Sequence, residues 1–209
     1  MQNKLFTSPL YRFLNRIADL FCVSLLTLIF SIPLITIFAA ITAAHNVTQD
    51  MIFDTESTIF SKYCNAFRAN IKQATFSGFI LSAALVIAVV NLVWFPGLLP
   101  NSFSNTVRIL FGILLIALLG IANCIFPLIA RYHNPITQHF KNAVIIILIR
   151  PIRVFLIMFI NILPLLILLF NPAFLIYTLA FWTFLGFGLL SYLTNLLLRP
   201  VLTQLESKA

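Results

Sequence analysis

Four long stretches of this chain carry no Asp, Glu, Lys or Arg: residues 20–49, 73–107, 109–130 and 154–198, which are 30, 35, 22 and 45 residues long. About 20 apolar residues suffice for one helical crossing of a bilayer core. The rest of the composition agrees. Of 209 residues, 61% are hydrophobic and 9% charged, with a mean hydropathy of +1.06. A soluble domain carries roughly a quarter of its residues charged. The sequence therefore predicts an all-α fold, a polytopic transmembrane helical bundle forming a single membrane domain over residues 1–209.

Five hydrophobic segments are expected, at residues 20–44, 76–95, 109–130, 154–170 and 173–198. Between Lys4 and Asp19, the residues Phe6, Leu10, Phe13, Leu14 and Ile17 recur at helical spacing. That pattern predicts an amphipathic interfacial helix over residues 1–19. The apolar run after it is about twice the 7–15 residues of a signal-peptide core, so the segment is expected to be retained. Residues 45–73 and 131–153 hold most of the remaining charge and are predicted to be interfacial and cytoplasmic. Phe60, Tyr63, Phe67 and Ile71 would form one helical stripe there, with Lys62, Arg68 and Lys72 reaching for lipid phosphates. In the second stretch Arg131, Lys141, Arg150 and Arg153 are the interfacial basic residues, and the helix is expected to stop at Pro151. Trp94 suits the headgroup region, and Asn171-Pro172 would divide the last long run by a tight turn.

Pro33 governs the topology. If residues 20–44 cross once, nine Lys and Arg lie on one side and four on the other. If they form a re-entrant hairpin turning at Ser31-Ile32-Pro33, the division becomes twelve against Arg108 alone. The tendency of basic residues to remain cytoplasmic favours the hairpin. A lipid-exposed turn, however, strands backbone polar groups unless protein surrounds it. Both alternatives stand at this point. Either way, residues 131–153 and the carboxy terminus are assigned to the cytoplasmic side of the membrane.

The net charge of +8 reads as this topological bias rather than as a nucleic-acid footprint. No ionisable residue falls at depth in a predicted span, which weakens any ion-coupled mechanism. Cys22, Cys64 and Cys124 form no metal or redox motif. His45, His133 and His139 lack the spacing of a ligand pair and read as loop residues. Asn91, Asn123, Asn161 and Asn195 fall in or near different spans, where they would either line a polar path or hydrogen-bond between helices. Pro33, Pro127 and Pro164 are candidate helix breaks. No catalytic set, cofactor site or metal site is expected, and the chain is read as non-enzymatic.

Ile32-Pro33-Leu34-Ile35-Thr36 resembles the Leu-Pro-Ile-Val-Thr core of the YesL-like bacterial membrane proteins. Phe60, Phe67, Asn70, Gln73 and Ala74 are similar to that family's spaced Phe and Asn-Phe-Lys-Gln-Ala segment, and Phe126-Pro127-Leu128 with Ala130-Arg131 to its third landmark. Where the family often has Gly-Pro-Ala after the Thr, this chain has Phe38-Ala39-Ala40. The resemblance implies a multi-pass protein of a largely uncharacterised family, often encoded beside sugar-uptake systems. By that association an accessory role in carbohydrate uptake or sensing is expected. The partners would be the lipid bilayer, a sugar-transport complex or a second copy of the chain. The competing expectation is a small oligomeric transporter or channel that uses the asparagines.

Overall fold

The computed structural model describes residues 9–53, 58–94, 97, 101–170 and 172–206. Among them the chain is helical, with no strand. The helices are α1 (Pro9–Phe30), α2 (Ile37–Ile52), α3 (Ile59–Trp94), α4 (Asn101–Arg131), α5 (Ile136–Ile149), α6 (Pro151–Phe170), α7 (Leu175–Phe181) and α8 (Phe187–Glu206). A 3-10 turn, Leu34–Thr36, precedes α2, and a turn of π-helix, Trp182–Gly186, joins α7 to α8. Four helical runs are long and apolar enough to cross a membrane: Phe13–Phe30, Ile59–Trp94, Ser104–Arg131 and Leu175–Gln204. A fifth is reached if the bent α5–α6 pair counts as one span. The chain is a multi-pass membrane bundle.

Pro33 does break its segment, and the two halves fold back on each other. Two contacts with α8 show this. Ser24 Oγ accepts from the Gly188 N–H at 2.9 Å, and Arg16 Nη1 donates to the Tyr192 hydroxyl at 2.8 Å. Numbers fall along α1 as they rise along α8, so these helices are antiparallel. Asn195 bonds to His45 and Thr48, while the Arg199 guanidinium lies 5.5 Å from the Phe53 ring. Helix α2 therefore runs parallel to α8 and antiparallel to α1. The Tyr63 hydroxyl, on α3, donates to the Ala40 carbonyl at 2.9 Å and lies 3.2 Å from Thr27 Oγ1, tying both arms. At the tip Thr36 Oγ1 donates to the Phe30 and Pro33 carbonyls.

Several boundaries differ from the sequence reading. Helix α1 runs unbroken through the predicted junction at residue 19; residues 1–8 of the predicted interfacial helix lie outside the described residues. The predicted interfacial stretch 45–73 is divided between the buried end of α2 and the first half of α3. Helix α3 has 36 residues, about 54 Å at 1.5 Å per residue, well beyond a bilayer core of about 30 Å. Its buried face is Tyr63, Ala66, Asn70, Ala74 and Ser77, while Phe60 is exposed. The buried face is thus rotated from the predicted aromatic stripe by about a sixth of a turn, because small residues allow α2 to approach closely. Pro127 and Pro164 sit inside continuous helices and break neither. Helix α8 does not end at Arg199-Pro200 but continues to Glu206. Leu198, Val201 and Leu202 are packed into a core with Cys124, Leu128, Ile146 and Ile157, and that burial carries the helix past Pro200. The predicted stop before Pro151 stands, with a bend of 105° between α5 and α6.

Candidate functional site: a polar seam inside the bundle

Helix α2 occupies the middle of the bundle. Ala39, Ala40, Ala43, Ala44 and Val47 give it a narrow apolar surface, fully or almost fully buried. Small residues permit such close helix approach in membrane bundles. The same helix carries Thr42, His45, Thr48 and Gln49, all buried. Away from water these groups need partners: Thr42 finds one in the Phe38 carbonyl of its own helix, and α4 and α8 supply partners to Thr48 and Gln49.

Asn195 is the hub. Its Nδ2 donates to the His45 carbonyl at 3.0 Å and to Thr48 Oγ1 at 2.8 Å. Its Oδ1 accepts from Gln49 Nε2 at 3.2 Å, and Gln49 Nε2 also donates to the Pro127 carbonyl at 2.9 Å. One turn earlier Asn46 Nδ2 donates to the Ala130 carbonyl at 2.7 Å. A second set lies on the neighbouring face of α8. Asn161 Nδ2 donates to Asn123 Oδ1 at 2.8 Å and to Thr194 Oγ1 at 3.3 Å. Residues 194 and 195 point about 100° apart on a helix, so α8 bonds to α2 on one side and, on the other, to α6, which is itself bonded to α4 through Asn123.

Three of the four sequence-predicted asparagines, Asn123, Asn161 and Asn195, thus belong to one seam. Asn91 does not: it is half-buried and donates within its own helix to the Ile87 carbonyl at 2.7 Å. Sequence reasoning missed His45, Thr48 and Gln49. Their spacing of three and four residues within an uncharged run was the available signal. His45 and His139 are buried rather than loop residues; of the three histidines only His133 is exposed. Two seam atoms, His45 Nδ1 and Gln49 Oε1, are buried without a hydrogen-bond partner among the described residues.

The basic residues divide by environment. Lys62 is ion-paired with Asp50 across the α2–α3 contact and does not reach outward for phosphate. Arg131 lies over the Phe53 ring at 4.2 Å, next to Arg199. Arg68, Lys72 and Lys141 are exposed, and Arg150 and Arg153 are half-buried at the α5–α6 bend. Among the described residues no group of three or more His, Cys, Asp or Glu side chains is placed to hold a metal ion.

Residues 20–92 match the family model described as "Protein of unknown function, DUF624". Over that stretch, about a third of the chain, the sequence is similar to this family. The match is consistent with the YesL-like resemblance. It covers the second half of α1, the Pro33 turn, α2 and nearly all of α3. The matched residues therefore contribute the hairpin turn and the α2 half of the seam, while Asn123, Asn161 and Asn195 lie beyond them. No curated protein and no solved structure matches the chain.

Proposed function

We propose that this protein is a non-enzymatic accessory component of the bacterial cell membrane, assembling with a transport complex in carbohydrate uptake or sensing. One observation carries the accessory part. The intramembrane amides are committed to protein partners: Asn161 bonds to Asn123 and Thr194, and Asn195 to Thr48, Gln49 and the His45 carbonyl. Polar groups committed in this way hold helices together and contribute no open lining for a solute. The carbohydrate part rests on the family resemblance. The excess of Lys and Arg over residues 131–153 and the carboxy-terminal tail supports a cytoplasmic placement of that face, where a transporter subunit would dock.

The test compares uptake of labelled sugars in cells with and without the protein, followed by site-specific crosslinking from the exposed positions Arg68 and Lys141. Reduced uptake together with a crosslink to a transporter subunit supports the reading. Saturable sugar flux through vesicles containing the purified protein alone, lost in Asn123→Leu/Asn161→Leu without loss of stability, would instead make it a transporter in its own right.

A further inference from the structure

Not every polar side chain of α2 and α3 is committed to a neighbouring helix. Thr58, Ser61, Lys62 and Asn65 recur at spacings of three and four residues. The Thr58 carbonyl accepts from the Lys62 N–H at 3.1 Å, so Thr58 already follows the repeat of α3. All four therefore share one face of the helix. With Asn46 of α2, and Ala66, they line a hollow of about 390 Å³. Five of these six side chains are polar in a chain that is 61% hydrophobic, which sets the hollow apart from the apolar groove along α6.

The lining is uncommitted as well as polar. Thr58, Ser61 and Asn65 are exposed, and their side chains make no hydrogen bond to another described residue. Asn46 Nδ2 donates to the Ala130 carbonyl at 2.7 Å, which holds this amide in place and leaves Oδ1 as an acceptor. In the seam the arrangement is the reverse, with amides bonded across helices. The hollow also lies at the charged end of the bundle, since Ala130 precedes Arg131, which covers the Phe53 ring beside Arg199. Charged groups are disfavoured in hydrocarbon, so this end meets water and is open to a dissolved solute.

Charge and hydrogen-bonding capacity set the class of ligand. Lys62 is the cation of the described lining, and Asp50 pairs with it, so the pair offers an anion no net positive charge. Hydroxyls and primary amides each donate and accept, which is the pattern that the hydroxyls of a polyol need. An apolar ligand would instead strand these groups. The volume falls within the range of small-molecule sites. We propose that this hollow binds a small, uncharged, polyhydroxylated solute, held by Thr58, Ser61 and Asn65 against the fixed amide of Asn46. The inference rests on the lining alone and not on the accessory role, so either can fail without the other.

The test is saturation-transfer NMR of the purified full chain, titrated in turn with myo-inositol, glucose and glucose 6-phosphate. The expected result is saturable binding of an uncharged probe, weakened about fivefold in Ser61→Ala and again in Asn65→Leu, as for one lost neutral hydrogen bond. Gln138→Leu removes an exposed amide on α5, outside the hollow, and is expected to leave binding unchanged. Absence of saturable binding by both uncharged probes would overturn the site, and so would an equal loss in Gln138→Leu. Tighter binding of glucose 6-phosphate than of glucose would overturn the uncharged class. A readout without variants covers any loss of folding. In the unaltered protein a photoreactive inositol derivative should label Asn46 or residues 58–66, and labelling confined to other positions refutes the proposal directly.

Discussion

Replacing Asn195 by Leu tests whether the seam is a structural tie. The side chain is 1% exposed and takes part in three hydrogen bonds, two donated and one accepted. In a bilayer such interhelical bonds average about 0.6 kcal/mol each, so losing three costs about 2 kcal/mol. Leu keeps the branching and heavy-atom count of Asn, so no cavity is left; its larger methyl groups can only add to the loss. Thr48 Oγ1 still donates to the Ala44 carbonyl, and Gln49 Nε2 still reaches the Pro127 carbonyl. The loss should therefore stay near the sum of the bonds and not approach the larger cost of several stranded groups. About 2 kcal/mol is roughly a 30-fold shift of the unfolding equilibrium. The assay is reversible denaturation by SDS in mixed micelles, followed by Trp fluorescence. Asn91→Leu is the internal control, because its bond stays within α3 and should change stability by less than about 0.5 kcal/mol. Equal, near-zero effects of the two substitutions would refute the claim that the seam holds the bundle.

Gly188→Val should separate α1 from α8, since a Cβ at 188 would strike the Leu20 carbonyl and crowd Ser24 Oγ; we expect a loss of about 2–3 kcal/mol in the same assay. Tyr63→Phe removes the hydroxyl that touches both hairpin arms and should cost about 1 kcal/mol, with increased disulfide trapping mobility between the arms as a second readout. For the Asp50–Lys62 pair, a double-mutant cycle of Asp50→Asn and Lys62→Gln should give a coupling of about 1 kcal/mol that shrinks with added salt; zero coupling at low salt refutes a stabilising pair. In intact cells, single cysteines at Lys4 and Thr58 should be labelled from the same side, because the antiparallel hairpin returns the chain to the end it started from. Labelling from opposite sides would contradict the hairpin.

The uncharged runs by themselves determined that this chain is a membrane-embedded helical bundle, since burying backbone in lipid leaves helices as the natural way to satisfy it. The sequence also placed the breaks at Pro33 and Pro151 and marked Asn123, Asn161 and Asn195 as polar groups in apolar surroundings. It did not decide between a kink and a hairpin at Pro33. That choice depends on contacts between residues far apart in sequence: Ser24 with Gly188, Asn195 with His45, and Tyr63 with both arms. Nor did it separate proline inside a helix from proline that ends one. Pro127, Pro164 and Pro200 share the local chemistry of Pro33, but the helices around Pro127 and Pro200 are packed on several sides. Only the tertiary structure decided which polar residues meet, because a helical face gains its meaning from the helix opposite it. Thus His45, Thr48 and Gln49 became buried partners of Asn195, while Asn91, equally polar and equally apolar in setting, bonds only within its own helix among the described contacts.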